Sequence, residues 1–313
     1  MSPHAISPNE LDLFRSRHKV PVPGGTLAVA RAGAPPAQAE AVVLAIHGIT
    51  SNLMVWRSVA RHVADGARVC ILAPDLRGRG ESAGLPGPYG IAAHVEDMLA
   101  VLDHLEVAGA VLAGHSMGAY VAARLAGEHP ERTAGLVLVD GGPSVDAFTP
   151  EDAAMMRALM VGPALARHAI SYPSQEAFLD FWRQHPAFAH AWNEDVEAYV
   201  LHDLVGEPGA FRYVINLNAV EADSDEMLSD PTNRTSMDRV HVPVSLLRAP
   251  RGTLDDDNAL ISRPLLEAFA AEHPAAHVEE VEGVNHYTLM VGDSPGPARV
   301  AAAIEAAANP DGG

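Results

Sequence analysis

The sequence predicts an α/β fold in which a mostly parallel sheet carries helices on both faces. Two observations favour it. Short apolar runs alternate with helical patterns over residues 41–140, and the same alternation resumes at residue 240. A continuous apolar run such as Ala41–Ile46 is typical of a strand buried on both faces. Strands separated by helices indicate parallel pairing with crossover helices.

The expected elements follow one another along the chain. A hairpin covers residues 19–31, with Gly24 and Gly25 at its turn. The segment 94–106 is clearly amphipathic, because its apolar residues recur at helical spacing and its acidic residues fall on other faces. Further strands are expected at 41–46, 68–73, 110–113, 134–140, 240–247 and 277–281, and further helices at 53–64, 119–126, 264–272 and 297–308.

The alternation stops between about residue 142 and residue 238, where helical patterns continue without a convincing buried strand. We interpret this block as an insertion in one α/β domain, with a core at 1–143 and 239–313 and a helical cap at 144–238. The block holds ten of the 16 aromatic residues. A small helical unit needs large side chains for its own core, and an apolar lid over a site needs them too. Candidate substrate contacts are Trp182, Trp192 and Tyr287.

Composition excludes several classes of protein. The formal net charge is −19, which repels phosphate polyanions, so no nucleic-acid partner is expected. No apolar run approaches the roughly 20 residues that a membrane helix needs, and residues 1–10 lack the pattern of a signal peptide. The single cysteine, Cys70, cannot form an intramolecular disulfide, which suits a reducing compartment. We therefore expect a cytoplasmic protein with a small-molecule substrate.

The most informative motif is Gly114-His115-Ser116-Met117-Gly118. An apolar, strand-like run precedes it and a helix-forming run follows it, which is the context of a nucleophile elbow. The glycines allow a sharp turn and a close approach of helix to strand. The serine then lies at the tip of the turn, above a helix N-terminus that favours developing negative charge.

A serine nucleophile needs a base, and the base needs an acid to orient it. Of the 16 histidines, His286 is favoured because it follows the last expected strand and Gly283, which places it beside the elbow. The acid is expected at Asp255, at the spacing Gly252-x-x-Asp255. Asp140, at the end of the strand after the elbow, remains the alternative because it reaches the same rim.

An oxyanion formed at the serine needs two N–H donors. One is expected from Met117, directly after Ser116. The other is expected from Ile49, because Gly48 lets the loop after the strand 41–46 come close. The His47 ring is expected to be structural, as is the turn at 75–82 with its charged residues and glycines.

With these residues in place, the chain resembles the α/β-hydrolase superfamily. The resemblance rests on His47-Gly48, Asp75-x-Arg77-Gly78-x-Gly80-x-Ser82, the pentapeptide around Ser116, and His286 after the last strand. It implies an eight-stranded, mostly parallel sheet with a helical cap after the sixth strand. It also implies Ser116 as nucleophile, His286 as base and Asp255 as acid. A serine at the elbow argues against the haloalkane dehalogenases and epoxide hydrolases, which use a carboxylate there.

These features predict a serine hydrolase that cleaves a carboxylic ester or lactone of a fairly apolar small molecule. No metal or cofactor is expected, since the sequence has neither an H-E-x-x-H helix nor a cysteine cluster. Two alternatives stay open: a carbon–carbon bond hydrolase with the same triad, and a ligand-binding protein that keeps the fold without turnover. The sequence leaves the oligomeric state open.

Overall fold

A central eight-stranded sheet forms the core of the protein. The computed structural model describes residues 13–14, 16–64, 68–142, 155, 157–158, 162–163 and 166–309. The strands lie in the order β1-β2-β4-β3-β5-β6-β10-β11. β1 and β2 form an antiparallel hairpin, β2 pairs antiparallel with β4, and all remaining neighbours are parallel. The strands are Ser16–Val22 (β1), Gly25–Gly33 (β2), Ala41–Ile46 (β3), Val69–Pro74 (β4), Ala110–His115 (β5), Thr133–Val139 (β6), Val244–Arg248 (β10) and His277–Glu280 (β11).

Helices cover the sheet on both faces. The first and last of them pack together against the sheet, and α2 packs on α3 as a second pair. The helices are Arg57–Ala64 (α1), Ile91–His104 (α2), Met117–Glu128 (α3), Gln175–Arg183 (α4), Glu194–Leu201 (α5), Leu217–Ser229 (α6), Pro231–Thr235 (α7), Arg263–Glu272 (α8) and Gly296–Ala308 (α9). The predicted α/β class and its mostly parallel sheet are confirmed.

The predicted elements of the core agree with the structure to within a few residues, with larger differences at α1 and β10. The helix predicted over 53–64 begins as a 3₁₀ turn at Leu53–Trp56, and α1 follows from Arg57. The sequence suggests a strand over 240–247, but β10 begins at Val244. Pro243 has no N–H to donate to the ladder, so regular pairing starts after it. Its carbonyl still accepts a hydrogen bond from the backbone of Leu136, 2.9 Å away.

The block between the two parts of the core contains strands that the sequence did not reveal. Ser171–Tyr172 (β7), Leu204–Val205 (β8) and Phe211–Tyr213 (β9) form a small antiparallel sheet in the order β7-β9-β8. The block is therefore not purely helical, although these short strands are partly exposed and lie outside the central sheet. Strands of two or three residues are too short to show the alternation of apolar and polar residues by which strands are recognised.

Buried charges attach this block to the core. Asp223 of α6 accepts hydrogen bonds from the backbone N–H of Gly90 at 2.6 Å and from His94 Nε2 at 2.9 Å, and it pairs with Arg79. Although burial acts to raise it, the charges of His94 and Arg79 hold the pKa of Asp223 well below its usual range. Because separating such a pair leaves buried charge without a partner, these contacts hold the block firmly in place.

Among the described residues, no helix combines the length and apolar character required to cross a membrane.

Candidate functional site

Ser116 lies on a sharp turn between β5 and α3. Its backbone has φ 56° and ψ −123°, a strained conformation for a residue with a side chain. Its N–H donates to the carbonyl of Val139 at 2.9 Å. A Cβ at Gly114 would lie 2.2 Å from the carbonyl oxygen of Gly118, and a Cβ at Gly118 would lie 2.2 Å from that of Ile46. Both glycines are therefore needed for the close approach of helix and strands that the sequence predicted.

His286 is held by a buried carboxylate. Its Nδ1 lies 2.7 Å from Oδ2 of Asp140, while Oδ1 of Asp140 accepts from the backbone N–H of Ala249 at 3.1 Å. Asp140 is fully buried directly after β6, the neighbour of the elbow strand β5. A proton on Nδ1, donated to this carboxylate, leaves Nε2 of the imidazole as the basic nitrogen.

The predicted partner, Asp255, does not contact His286. Its Oδ1 accepts from Arg251 Nε at 2.8 Å and from Asn285 Nδ2 at 3.3 Å, and 36% of its side chain is exposed. The sequence predicted that Asp255 contacts His286, but in the structure Asp140 makes this contact. β10 ends at Arg248 and an irregular loop separates it from Asp255. The sequence signal for Asp140 was its position directly after a strand that neighbours the elbow.

Two further side chains, which sequence reasoning did not select, hold the loop of His286. The Nε2 of His115 donates to the carbonyl of His286 at 3.1 Å, and the two rings lie 4.5 Å apart. Burial lowers the pKa of His115 well below its usual range, so this ring is neutral. Asn285 accepts from the N–H groups of Tyr287 and Thr288 at 3.0 Å each, and its Nδ2 donates to the carbonyl of Ala187 at 3.0 Å.

The loop after β3 lies against the serine. A Cβ at Gly48 would come within 3.0 Å of the Ser116 Cβ. Nε2 of His47 accepts from the N–H of Leu76 at 2.9 Å, and its Nδ1 donates to the Gly48 carbonyl at 2.8 Å. Burial lowers the pKa of His47 to about 4, so its ring is neutral and structural, as the sequence suggested. This ring fixes the loop that carries Ile49.

The turn at 75–82 supports the same loop. Arg79 Nε donates to the carbonyl of Ile49 at 2.9 Å. The carboxylate of Asp75 accepts from the N–H groups of Leu53 and Glu81, each at 2.8 Å, and from His202 Nε2 at 2.7 Å. Asp75, Glu81 and His202 each have an atom that could bind a metal ion, and these atoms lie within 4.8 Å of one another. The oxygens of Asp75, however, already accept the hydrogen bonds described above. The turn is structural, as expected.

Aromatic rings connect the inserted block to His286. The ring of Tyr287 lies 5.8 Å from that of His286 and 5.3 Å from that of Phe188. Phe188 in turn lies 6.0 Å from Trp182 and 6.3 Å from Trp192. The three residues expected to contact substrate therefore belong to one cluster beside His286, and their role in binding stays a prediction.

Asp203, next to this cluster, is a buried acid with an incomplete set of partners. Its Oδ2 accepts from Asn52 Nδ2 at 2.7 Å, whereas its Oδ1 has no partner among the described residues. Burial raises the pKa of Asp203 to about 7. The folded protein thus keeps this proton up to about neutral pH, whereas the unfolded chain releases it near pH 4.

Stability should therefore fall as the pH rises from about 4 to 7, since the folded state binds more protons in that window. At about 1.36 kcal/mol per pKa unit, a pKa raised from its usual value near 4 to about 7 means that ionised Asp203 costs about 4 kcal/mol of folding stability above pH 7. We expect Asp203→Asn to raise Tm at pH 8 and not at pH 4. Thermal melts across this range, with exposed Asp238→Asn as control, test it. If the difference in Tm between Asp203→Asn and wild type stays constant across this range, the raised pKa of Asp203 is excluded.

Comparison with known proteins places this geometry in a family. The family model for the α/β-hydrolase fold matches residues 41–195. The chain is 38% identical over 104 residues to lipase LipV of Mycobacterium tuberculosis, covering 33% of this chain and 38% of the lipase. It is 26% identical over 246 residues to 3-oxoadipate enol-lactonase 2 of Acinetobacter baylyi, covering 77% of this chain and 84% of that protein.

The crystal structure of E-2-(acetamidomethylene)succinate hydrolase has the same fold, with a TM-score of 0.74 at 21% identity, covering 92% of this chain and 97% of that one. The chain has the α/β-hydrolase fold. The match to the lipase spans little more than a third of that relative's length.

Proposed function

We propose that this protein is a serine hydrolase that cleaves a carboxylic ester or lactone of a fairly apolar small molecule through an acyl-enzyme intermediate. The observation that carries the proposal is Ser116 on its strained turn beside the buried pair of Asp140 and His286. Relatives named a lipase and an enol-lactonase support an ester or lactone as substrate.

In the first half of the reaction, Ser116 Oγ attacks the carbonyl carbon of the substrate. Nε2 of His286 takes the serine proton, and the carboxylate of Asp140 stabilises the imidazolium that forms. His286 then gives this proton to the leaving alkoxide. The alcohol departs, or in a lactone the ring opens, and the acyl group stays on Ser116.

The negative charge on the carbonyl oxygen needs preorganised donors. Met117 is the first residue of α3, where a helix has no acceptor of its own for the N–H. Ile49 supplies the second N–H from the loop that Gly48 brings against Ser116. Arg79 and His47 act through this loop, so they are positioning residues.

In the second half, water attacks the acyl carbon while Nε2 of His286 takes its proton. Collapse of the second tetrahedral intermediate returns that proton to Ser116 and releases the carboxylic acid. Tyr287 and Phe188 would supply apolar contacts to the substrate, in agreement with their place beside His286.

Covalent labelling of the serine tests the proposal. Diethyl 4-nitrophenyl phosphate should release one equivalent of nitrophenolate and leave a diethyl phosphate group on Ser116, located by mass spectrometry of the digested protein. Ser116→Ala should not react, whereas Ser229→Ala, which removes an exposed hydroxyl, should react as wild type does. Absence of labelling in folded wild type, or a label on another residue, would exclude the proposed nucleophile.

A further inference from the structure

Arg167, in the inserted block, is a buried cation that forms no ion pair with an acid among the described residues. Arg167 is 7% exposed to solvent. No carboxylate in the described part of the chain lies within 4.0 Å of its guanidinium. Arginine is seldom buried without a paired acid, because removing its charge from water is costly.

Two rings flank the guanidinium. Its carbon lies 5.3 Å from the centre of the Trp182 ring and 5.2 Å from that of Tyr213. The faces of these rings attract the cation. They fix its place and plane, but they carry no charge that could neutralise it.

Several buried donors in this cluster lack an acceptor. Within the described residues, Arg167 Nε, Trp182 Nε1 and the Tyr172 hydroxyl have no hydrogen-bond partner. Trp182 and Tyr172 share contacts with the ring of Phe178. Buried donors in native proteins are almost always satisfied. The guanidinium of Arg167 does share a hydrogen bond with the Tyr213 hydroxyl, but that partner carries no charge. A cation with an uncharged partner, together with further donors that lack acceptors, indicates that the missing partner is an anion with oxygen acceptors.

Intermediate residues connect the cluster to both sides of the serine site. The hydroxyl of Tyr213, whose ring contacts Arg167, donates to the carbonyl of Thr50 at 3.2 Å, next to the proposed oxyanion donor Ile49. On the other side, Trp182 leads through Phe188 to Tyr287, the neighbour of His286. Arg167 is thus bracketed by groups attached to both halves of the serine site.

The acid that interacts with Arg167 electrostatically is Asp203, whose carboxyl lies beyond ion-pair distance. Burial raises the pKa of Asp203 to about 7. At neutral pH it is therefore about half protonated and compensates only part of the arginine's charge. One guanidinium can neutralise one negative charge, which suits a carboxylate better than a phosphate ester with a charge close to −2.

We propose that Arg167 binds a carboxylate carried by the substrate, away from the bond that is cleaved. This inference rests on the proposed hydrolase function and narrows its substrate class to esters or lactones of molecules with one acidic end and an apolar segment. The planar fork of arginine fits the two carboxylate oxygens. Trp182 Nε1 and the Tyr172 hydroxyl complete the set of donors.

A matched pair of esters tests the inference. 4-Nitrophenyl hydrogen glutarate carries a carboxylate where 4-nitrophenyl pentanoate carries a methyl group. For wild type we expect kcat/KM to be about 10- to 100-fold higher for the glutarate ester, as for a hydrogen bond to a charged group in a desolvated site. Arg167→Gln should bring this ratio close to one, and Arg167→Lys should keep part of it.

Arg212→Gln is the matched control, because it removes the same charge from an exposed position near Tyr213 and should leave the ratio unchanged. A wild-type ratio near or below one, or a ratio that Arg167→Gln does not lower, would overturn the carboxylate site while Ser116-dependent hydrolysis persists. If neither ester is hydrolysed and Ser116 is not labelled, the proposed function fails instead. Calorimetry can then still test the anion site by comparing the binding of glutarate with that of pentanamide, in wild type and in Arg167→Lys. Tighter binding of glutarate to wild type, weakened in the variant, would show that the anion site exists.

Discussion

Replacement of Ser116 by alanine is expected to lower kcat for 4-nitrophenyl pentanoate by about 10⁵- to 10⁶-fold, because no other group can form the acyl-enzyme. The substitution removes one hydroxyl from a partly exposed position and leaves the backbone of the turn in place. Tm should therefore stay close to that of wild type. The measurement is the release of nitrophenolate by matched amounts of both proteins.

A control for this experiment is the preparation itself, since a contaminating esterase would give the same rate in both proteins. Titration of active sites with the organophosphate corrects for it. Activity of Ser116→Ala that is comparable to wild type, after this correction, would contradict a serine nucleophile at the elbow.

Replacement of Asp140 by asparagine is expected to lower kcat by about 10³- to 10⁴-fold. The amide cannot stabilise the imidazolium, and its NH₂ group favours the tautomer of His286 with the wrong nitrogen protonated. Asp255→Asn should stay within a few-fold of wild type, because Asp255 bonds to Arg251 and Asn285 and not to the base. Parallel assays of the two variants decide between the acids.

The two substitutions are matched in size and charge, so each serves as the control for the other. Circular dichroism spectra and melting curves should show that both variants fold. A severe loss in Asp255→Asn combined with a mild one in Asp140→Asn would reverse the assignment made from the geometry.

The core and the elbow could be predicted because local sequence determines them. Continuous apolar runs identify the strands, and glycines at positions 114 and 118 permit an approach that any side chain would block. His286 could be placed from its position after the last strand. These features depend on neighbours in the chain, which the sequence displays directly.

The partner of His286 and the buried cation could not be predicted in this way. Asp140 and Asp255 both follow strands of the same sheet, and only the path of the loop after Arg248 decides which one faces the base. Arg167 becomes notable only when its burial, its two flanking rings and its lack of an acid are known together. The short strands β7–β9 could not be predicted because two or three residues are too few to show the alternation of apolar and polar residues.

Asn285 joins the inserted block to the turn that carries His286, the proposed base. One end of this amide holds the turn that carries His286, and the other end donates to the carbonyl of Ala187 in the block. Because one side chain joins the two, we expect a shift of the block to tilt the imidazole away from the serine if the proposed function holds. Substitutions that weaken the packing of the block against the core should therefore slow turnover, even for acyl groups too small to reach its aromatic rings.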